Sequence, residues 1–407
     1  MIFTGFLPNS TKQDLNIALS YLFSPTQWSK LQQGPAIKKS EQMLREYFSV
    51  EYASTFDSGR TALQKAIEAI GVQKGDEVIV QAYTCVVVTN AIIWAGAIPI
   101  YVDVGKDLNM DLADLSTKIT PKTKAIIVQH TFGNPAAIDT IMGIAKEKEI
   151  MVVEDCAHAI GGEYKGKKLG TWGDIGMFSF GSDKVISCVR GGALTTNTPA
   201  LGKKIKELQQ ALPFATKKNI LQYLFNIPLF LFGKKYYESI GKLAFYLSNT
   251  LHLTGRVIYD KEKCGEQIRL FPAKLPNALA DMLVHQLHDL DARNTHRQHI
   301  AAIYKKAIQT KTPLVNTGHI FLRYTLFVDE PKKLLAYAKE QGIMLGNWYN
   351  ASVVPTDVRE GITRYTPGSC PQAEAFAKKS INLPTHKDIT EKEAQIIIDC
   401  LDAYARS

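Results

Sequence analysis

Residues 153–193 contain Val153-Glu154-Asp155-Cys156-Ala157-His158, then Ser179-Phe180-Gly181-Ser182-Asp183-Lys184, then Arg190-Gly191-Gly192-Ala193. The stretch sets a carboxylate just after an apolar run, a hydroxyl and a lysine in a short Ser/Gly/Asp loop, and a glycine pair leading into another strand. A lysine is ordinarily a solvated surface charge. Lys184 is instead followed by the apolar pair Val185-Ile186. That setting desolvates the amine, lowers its pKa and makes it nucleophilic.

Outward from this stretch, short apolar runs alternate with helical ones. Glu77-Val78-Ile79-Val80 is followed by a helix through Ala91-Ile92-Ile93-Trp94, then Ile98 to Asp103, Lys124 to Val128, a helix near Ile138 to Lys148, and Ile150 to Val153. Such alternation implies an α/β fold with a mostly parallel sheet and helices on both faces. Ligands bind such sheets beyond the carboxyl ends of the strands, and Asp155 stands at one. Taken alone, its carboxylate is equally a helix N-cap, and His158 is more often a packed or hydrogen-bonded histidine than a functional one.

Upstream, Ser54-Thr55-Phe56-Asp57-Ser58-Gly59-Arg60-Thr61 reads as a small-residue turn opening a helix that runs to Gly71. A helix start offers unpaired N–H groups and the positive end of the dipole, which suit a phosphate; a bare N-cap is the simpler alternative. Amphipathic stretches at Asp14 to Leu19, Ile37 to Phe48 and Thr198 to Leu212 read as helices. From Leu275 a long helical pattern continues to Ile308. Tyr324 to Val328, Lys332 to Gln341 and Glu391 to Leu401 then form an α+β tail. The expected division is a large domain over 1–264 and a smaller C-terminal α+β domain over 265–407.

The chain has 407 residues, of which 45% are hydrophobic and 21% charged, values of a folded protein that exclude disorder. A net charge of +9 favours anionic partners. No Arg/Lys block with interleaved aromatics marks a nucleic-acid footprint, so phosphorylated small molecules are preferred. The six cysteines are scattered, without a C-x-x-C pair or a secretory leader, so a reduced cytoplasm is expected and a metal site is not. An apolar insertion at about 213–262 includes the uncharged run Asn219 to Gly233, bordered by Lys217-Lys218 and Lys234-Lys235. A subunit interface or core helix explains it. A cationic border on an apolar face also suits a peripheral membrane contact through 217–256.

Carboxylate, hydroxyl, lysine and phosphate-type helix start together suit a phosphorylated aromatic heterocycle attached to a lysine, and pyridoxal phosphate is the expected cofactor. The ordered set resembles the DegT/DnrJ/StrS group of sugar aminotransferases, of pyridoxal phosphate fold type I. The resemblance runs through Gly34-Pro35, Gly75 to Val80, Ala95-Gly96-Ala97-Ile98-Pro99, Ile119 to Ile127, Glu154 to His158, Gly173 to Phe180 and Asn382-Leu383-Pro384-Thr385-His386. It implies that Lys184 is the lysine that attaches the cofactor and also serves as acid and base. Asp155 then pairs with the ring nitrogen, and His158 lies beside the ring. Ser179, Gly59 and Arg60, with Thr61 nearby, form the phosphate cup. It further implies a homodimer that moves nitrogen from an amino acid, glutamate in most such enzymes, to a nucleotide-linked keto sugar.

The chain departs from the family at three places. Tyr83-Thr84-Cys85 puts Cys85 where an aromatic residue usually stacks on the ring. Val189-Arg190-Gly191-Gly192 replaces Gly-Glu-Gly-Gly, reversing a charge. Leu270-Phe271-Pro272-Ala273-Lys274 occupies the region that usually sends an asparagine to the neighbouring subunit's phosphate; Arg60 is the expected substitute. The alternative to an enzyme is a non-catalytic or regulatory homologue. A dehydratase branch that replaces the lysine with histidine is disfavoured by Lys184.

Overall fold

The computed structural model describes residues 1–407 except Phe6, His252, Val257, Arg269, residues 309–311 and Ser407. Its centre is a seven-stranded sheet of β1 (Tyr52–Phe56), β2 (Glu77–Gln81), β3 (Ile98–Val102), β4 (Thr123–Gln129), β5 (Met151–Asp155), β6 (Ile175–Ser179) and β7 (Gly192–Thr196). The spatial order is β1-β7-β6-β5-β4-β2-β3. Pairings from β6 through β3 are parallel, and β7 runs antiparallel between β6 and β1.

The period-2 alternation of a strand divides each apolar run between two cores. Val78, Val80, Ala125, Ile127 and Val153 join one buried cluster; Ile79, Ile126, Val128 and Val152 join the other. This explains why β2, β4 and β5 read as continuous apolar runs. Register then aligns the strand ends: Asp155 pairs with Gln129 on one side and Met177 on the other, while Gly192 pairs with Ser179 and with Phe56. The carboxylate strand, the hydroxyl strand and the run into Ser58 therefore finish at one end of the sheet.

Two expectations are corrected. Ser54 to Phe56 is not a turn but the end of edge strand β1. Its small polar residues are buried because Glu41 Oε1 accepts from the Thr55 N–H at 3.0 Å and Gln209 donates to the Thr55 carbonyl at 2.8 Å. The long pattern from Leu275 is two helices, Asn277–His288 and Leu290–Ala307, broken at Asp289.

The first of these two helices packs in a cluster with Ala18, Leu44 and Phe178. The second contributes Ile300 and Tyr304 to a separate core with the antiparallel pair Tyr324–Phe327 and Ser380–Leu383 and the helix Glu391–Arg406. The helix α1 (Gly59–Ala69) follows β1 directly. The insertion forms α2 (Lys217–Lys235) and α3 (Lys242–Thr250), joined by a five-residue π-turn; His252 and Val257 beyond them lie outside the described residues. Ile220, Leu224 and Ile227 of α2 are buried, whereas Ile240, Leu243, Tyr246, Leu247 and Leu251 are exposed. Among the described residues no helix is long and apolar enough to cross a membrane.

Candidate active site

The shared end of the sheet opens into a cavity of about 300 Å³ lined by Gly59, Arg60, Cys85, Asp155, His158, Ser179 and Lys184, among others. Seven of the eight residues singled out from sequence thus meet. The exception is Thr61, which lies behind the cavity. Its hydroxyl donates to Asp57 Oδ1 at 2.6 Å and its N–H to Ser58 Oγ at 3.3 Å, so neither group is open to a ligand.

Asp155 ends β5, and no helix begins after it, which removes the N-cap alternative. Its Oδ1 accepts from the Ala157 N–H at 3.0 Å. Burial pushes its carboxyl pKa up, against the lowering pull of Ala157, Lys184 and His130. Glu154, one residue earlier, points to the opposite face. There it accepts from the backbone N–H groups of Gly170, Trp172 and Gly173 at 2.9, 2.6 and 2.8 Å, with His130 Nε2 at 3.2 Å. His130, Glu154 and Cys156 form a buried trio with metal-ligand chemistry, but His130 Nδ1 accepts from the Ala136 N–H and Glu154 is engaged by three backbone N–H groups and His130. The trio is a scaffold.

Lys184 sits on the loop between β6 and β7, its N–H donating to the Gly181 carbonyl at 3.2 Å. Burial lowers its ammonium pKa, with Asp155 and Cys85 opposing. The loop is tied from outside. Asn9 donates to the Lys184 carbonyl, and Arg297 donates to Asn9 Oδ1 at 2.9 Å and to the Val185 carbonyl at 3.4 Å. Gln286 accepts from the Ser187 N–H at 3.3 Å. Asn9, Gln286 and Arg297 were not singled out from sequence. The available signal was an arginine on the inward face of a helix, since Arg297 is fully buried.

His158 Nδ1 accepts from the Phe132 N–H at 3.3 Å, which assigns the ring proton to Nε2, 3.5 Å from the Tyr349 hydroxyl. Burial, with Lys184 and Arg323, holds its pKa well below 6.5, so the ring is neutral. Cys85 lines the cavity as a thiol, its pKa raised by burial. The opposite wall comes from remote segments: Tyr223, Asn226 and Arg256 of the insertion and Asn347 to Asn350. No spacing relates these residues to the sheet motifs, and sequence reading did not find them.

At the far end Ser58 caps α1. A Cβ on Gly59 would fall 2.7 Å from Ser179 Cβ and 2.8 Å from its Oγ, so only glycine lets the helix start approach that hydroxyl. Arg60 forms an ion pair with the fully buried Glu262, and its guanidinium lies 4.8 Å from the Phe271 ring centre. Burial, then Arg190, lowers its pKa to about 9. Arg190 Nε meets Asp57 Oδ2 at 3.3 Å, while its buried Nη2 has no acceptor among the described residues. An unmet buried donor costs on the order of 1–3 kcal/mol. A lysine and a carboxylate at one end, with a helix start, a hydroxyl and an unmet guanidinium donor at the other, fit a cationic heterocycle bearing a phosphate.

Residues 20–236 and 239–402 match the DegT/DnrJ/EryC1/StrS aminotransferase family. Among curated relatives, the GDP-perosamine synthase of Caulobacter vibrioides is 28% identical over 91% of this chain and 90% of its own length. The one of Escherichia coli O157:H7 is 43% identical over 41% of this chain and 46% of its own. Among solved structures, a DegT DnrJ EryC1 StrS aminotransferase from Brucella abortus superposes with a TM-score of 0.74 at 23% identity, covering 97% of this chain and 95% of that one. NtdA from Bacillus subtilis, with its cofactor PMP bound, gives 0.76 at 20% identity, covering 100% and 85%. The match to the family runs through both cores and every strand of the central sheet, and the chain belongs to the DegT/DnrJ/EryC1/StrS family of pyridoxal-phosphate-dependent aminotransferases.

Proposed function

We propose that the chain transfers an amino group from an amino acid, glutamate, to a keto sugar carried on a nucleotide. The observation that carries this reading is the convergence of Lys184, Asp155 and the open start of α1 on one cavity. Relatives named GDP-perosamine synthase support a nucleotide-linked amino sugar as product.

In this reading Lys184 holds the cofactor, Asp155 faces its ring nitrogen, and His158 and Cys85 lie beside the ring. Gly59, Arg60 and Ser179 surround its phosphate, and Thr61 supports Asp57 and Ser58 from behind. Bound there, pyridoxal phosphate supplies a carbonyl carbon that carries nitrogen and a ring that withdraws electrons. The Asp155 carboxylate keeps the facing nitrogen protonated, which strengthens that withdrawal. The Lys184 amine, held below its ordinary pKa by burial, would take the proton from the donor Cα and deliver it, across the nitrogen, to the carbon that was the cofactor's carbonyl. Neutral His158 donates through Nε2 and adds no positive charge to compete with the ring nitrogen.

The test is spectroscopic. Purified protein is expected to show visible absorbance from lysine-bound cofactor, lost in Lys184→Ala. Glutamate should bleach the band, and one member of a panel of nucleotide keto sugars should restore it. A protein that takes up no cofactor on reconstitution sinks the reading and leaves the non-catalytic alternative.

The family resemblance favours a homodimer, and the six free cysteines favour a reduced cytoplasm. The exposed residues Ile240, Leu243, Tyr246, Leu247 and Leu251, with exposed Lys217, Lys218, Lys235 and Lys242 around them, favour an anionic lipid surface as a further partner of 217–256. Pelleting with vesicles containing phosphatidylglycerol, but not with phosphatidylcholine alone, is the expected result; no pelleting with either removes this partner.

A further inference from the structure

Arg190 replaces an acidic residue of the family pattern at the point where the Lys184 loop returns to the sheet. Its path is set by two glycines. A Cβ on Gly192 would lie 2.6 Å from the Gly59 nitrogen and 2.5 Å from the Ser58 carbonyl oxygen, so the chain carrying Arg190 runs directly past the start of α1. The residue is 6% exposed and lines the cavity. Asp57 fixes its Nε edge, and the guanidinium lies 4.8 Å from the Phe271 ring centre and 5.5 Å from that of Tyr223. Of its three nitrogens only Nε has an acceptor among the described residues, and Nη2 is buried without one. Arg60 differs: its guanidinium is engaged by Glu262, and it shares the Phe271 ring with Arg190.

A buried guanidinium held on three sides, whose side chain lines the cavity and whose terminal nitrogens have no acceptor among the described residues, is a built anion site, since such donors are satisfied in the protein or by a ligand. We propose that Arg190, not Arg60, gives the direct guanidinium contact to a phosphoryl group seated against Gly59 and Ser179, with Arg60 and Phe271 as positioning residues. The inference rests on the cofactor-binding reading above. Two ligands bring a phosphoryl group to this cavity: the cofactor and a nucleotide sugar.

The test measures binding, not turnover. Cofactor-free wild-type protein, Arg190→Gln and Arg190→Lys are titrated with pyridoxal phosphate and with pyridoxal, which lacks the phosphate. Arg190→Gln is expected to weaken pyridoxal phosphate about 10- to 100-fold and leave pyridoxal unchanged, with Arg190→Lys intermediate. Inorganic phosphate should compete with pyridoxal phosphate in the wild type and less in the glutamine variant. If the contact is to the substrate, pyridoxal phosphate affinity holds and binding of GDP or UDP to cofactor-loaded protein falls by a similar factor.

Unchanged affinity for pyridoxal phosphate and both nucleotides in Arg190→Gln overturns the proposal while the aminotransferase reading stands. Equal losses for pyridoxal and pyridoxal phosphate also overturn it, as a general structural defect. Should Arg190→Gln fail to fold, the same comparisons on Arg190→Lys decide: parity with wild type in every titration rejects the contact. A wild-type protein that binds no pyridoxal phosphate fails the underlying reading instead.

Discussion

The wall of the cavity that rises from the sheet and the wall built by the insertion and residues 347–350 are made differently. On the sheet side, Asp155 and Ser179 are placed by strand register, and Lys184 by a loop pinned at both ends to neighbouring strands. On the other side, Tyr223, Asn226 and Tyr349 come from segments more than a hundred residues apart. The first arrangement suits chemistry, which needs fixed geometry; the second can vary without disturbing the sheet, and suits choice of substrate.

The sharpest test of this division is Lys184→Ala. It should lower kcat by at least about 10³-fold and abolish the visible band, because in the proposed function one amine serves as anchor and as acid and base. A residual rate near wild type would erase the distinction between the walls.

Asp155→Asn should lower kcat by about 10²- to 10³-fold, with little change in KM. It carries a second, opposite signature. Burial raises the Asp155 pKa in the folded cofactor-free protein. That protein therefore binds more protons than the unfolded chain between the ordinary and the raised value. Its stability is greatest below the ordinary carboxylate range and falls as pH climbs through the raised pKa. At pH 7 the cofactor-free asparagine variant should melt roughly 2 °C above wild type. A lower Tm in a differential scan would show that the carboxylate is not under this strain.

Substitutions on the second wall should act on recognition. Asn226→Ala or Tyr349→Phe is expected to raise KM for the sugar substrate up to about 10-fold and leave kcat nearly unchanged. Steady-state kinetics with both substrates varied separates this from a kcat effect, which would merge the two walls. The smallest effect is expected farthest out. Leu243→Asp with Leu247→Asp should weaken vesicle binding about 10-fold without altering the glutamate half-reaction, each exposed leucine contributing on the order of 1 kcal/mol on burial.

The same contrast governs what could be read in advance. Alternating apolar runs announce β2 to β5, and ordered motifs announce Asp155, Ser179 and Lys184, because strand ends and loop lengths leave marks in local sequence. Edge strand β1 was hidden because Ser54 and Thr55 look like a turn until Glu41 and Gln209 are seen to satisfy the Thr55 backbone. Thr61 was misplaced by its neighbours: Asp57, four residues earlier, takes its hydroxyl. Tyr349, Asn226 and Arg297 are joined to the site only by tertiary folding, which has no local signature. Arg60 is expected in the phosphate cup, yet its buried partner Glu262 lies about two hundred residues away and leaves no local mark.

Glu154 and Asp155 stand next to each other in the chain, and the pleat of β5 sends one to each side of the sheet. The Glu154 carboxylate gathers three backbone N–H groups, while that of Asp155 faces the cavity. Under the proposed function, adjacent and chemically similar letters thus belong to separate accounts of inheritance: an error in the first is read as a misfolded chain, and an error in the second as an intact but silent one. A shift of β5 by a single residue would exchange the two roles, so a drifting lineage can keep the spelling of the pair and still lose the enzyme.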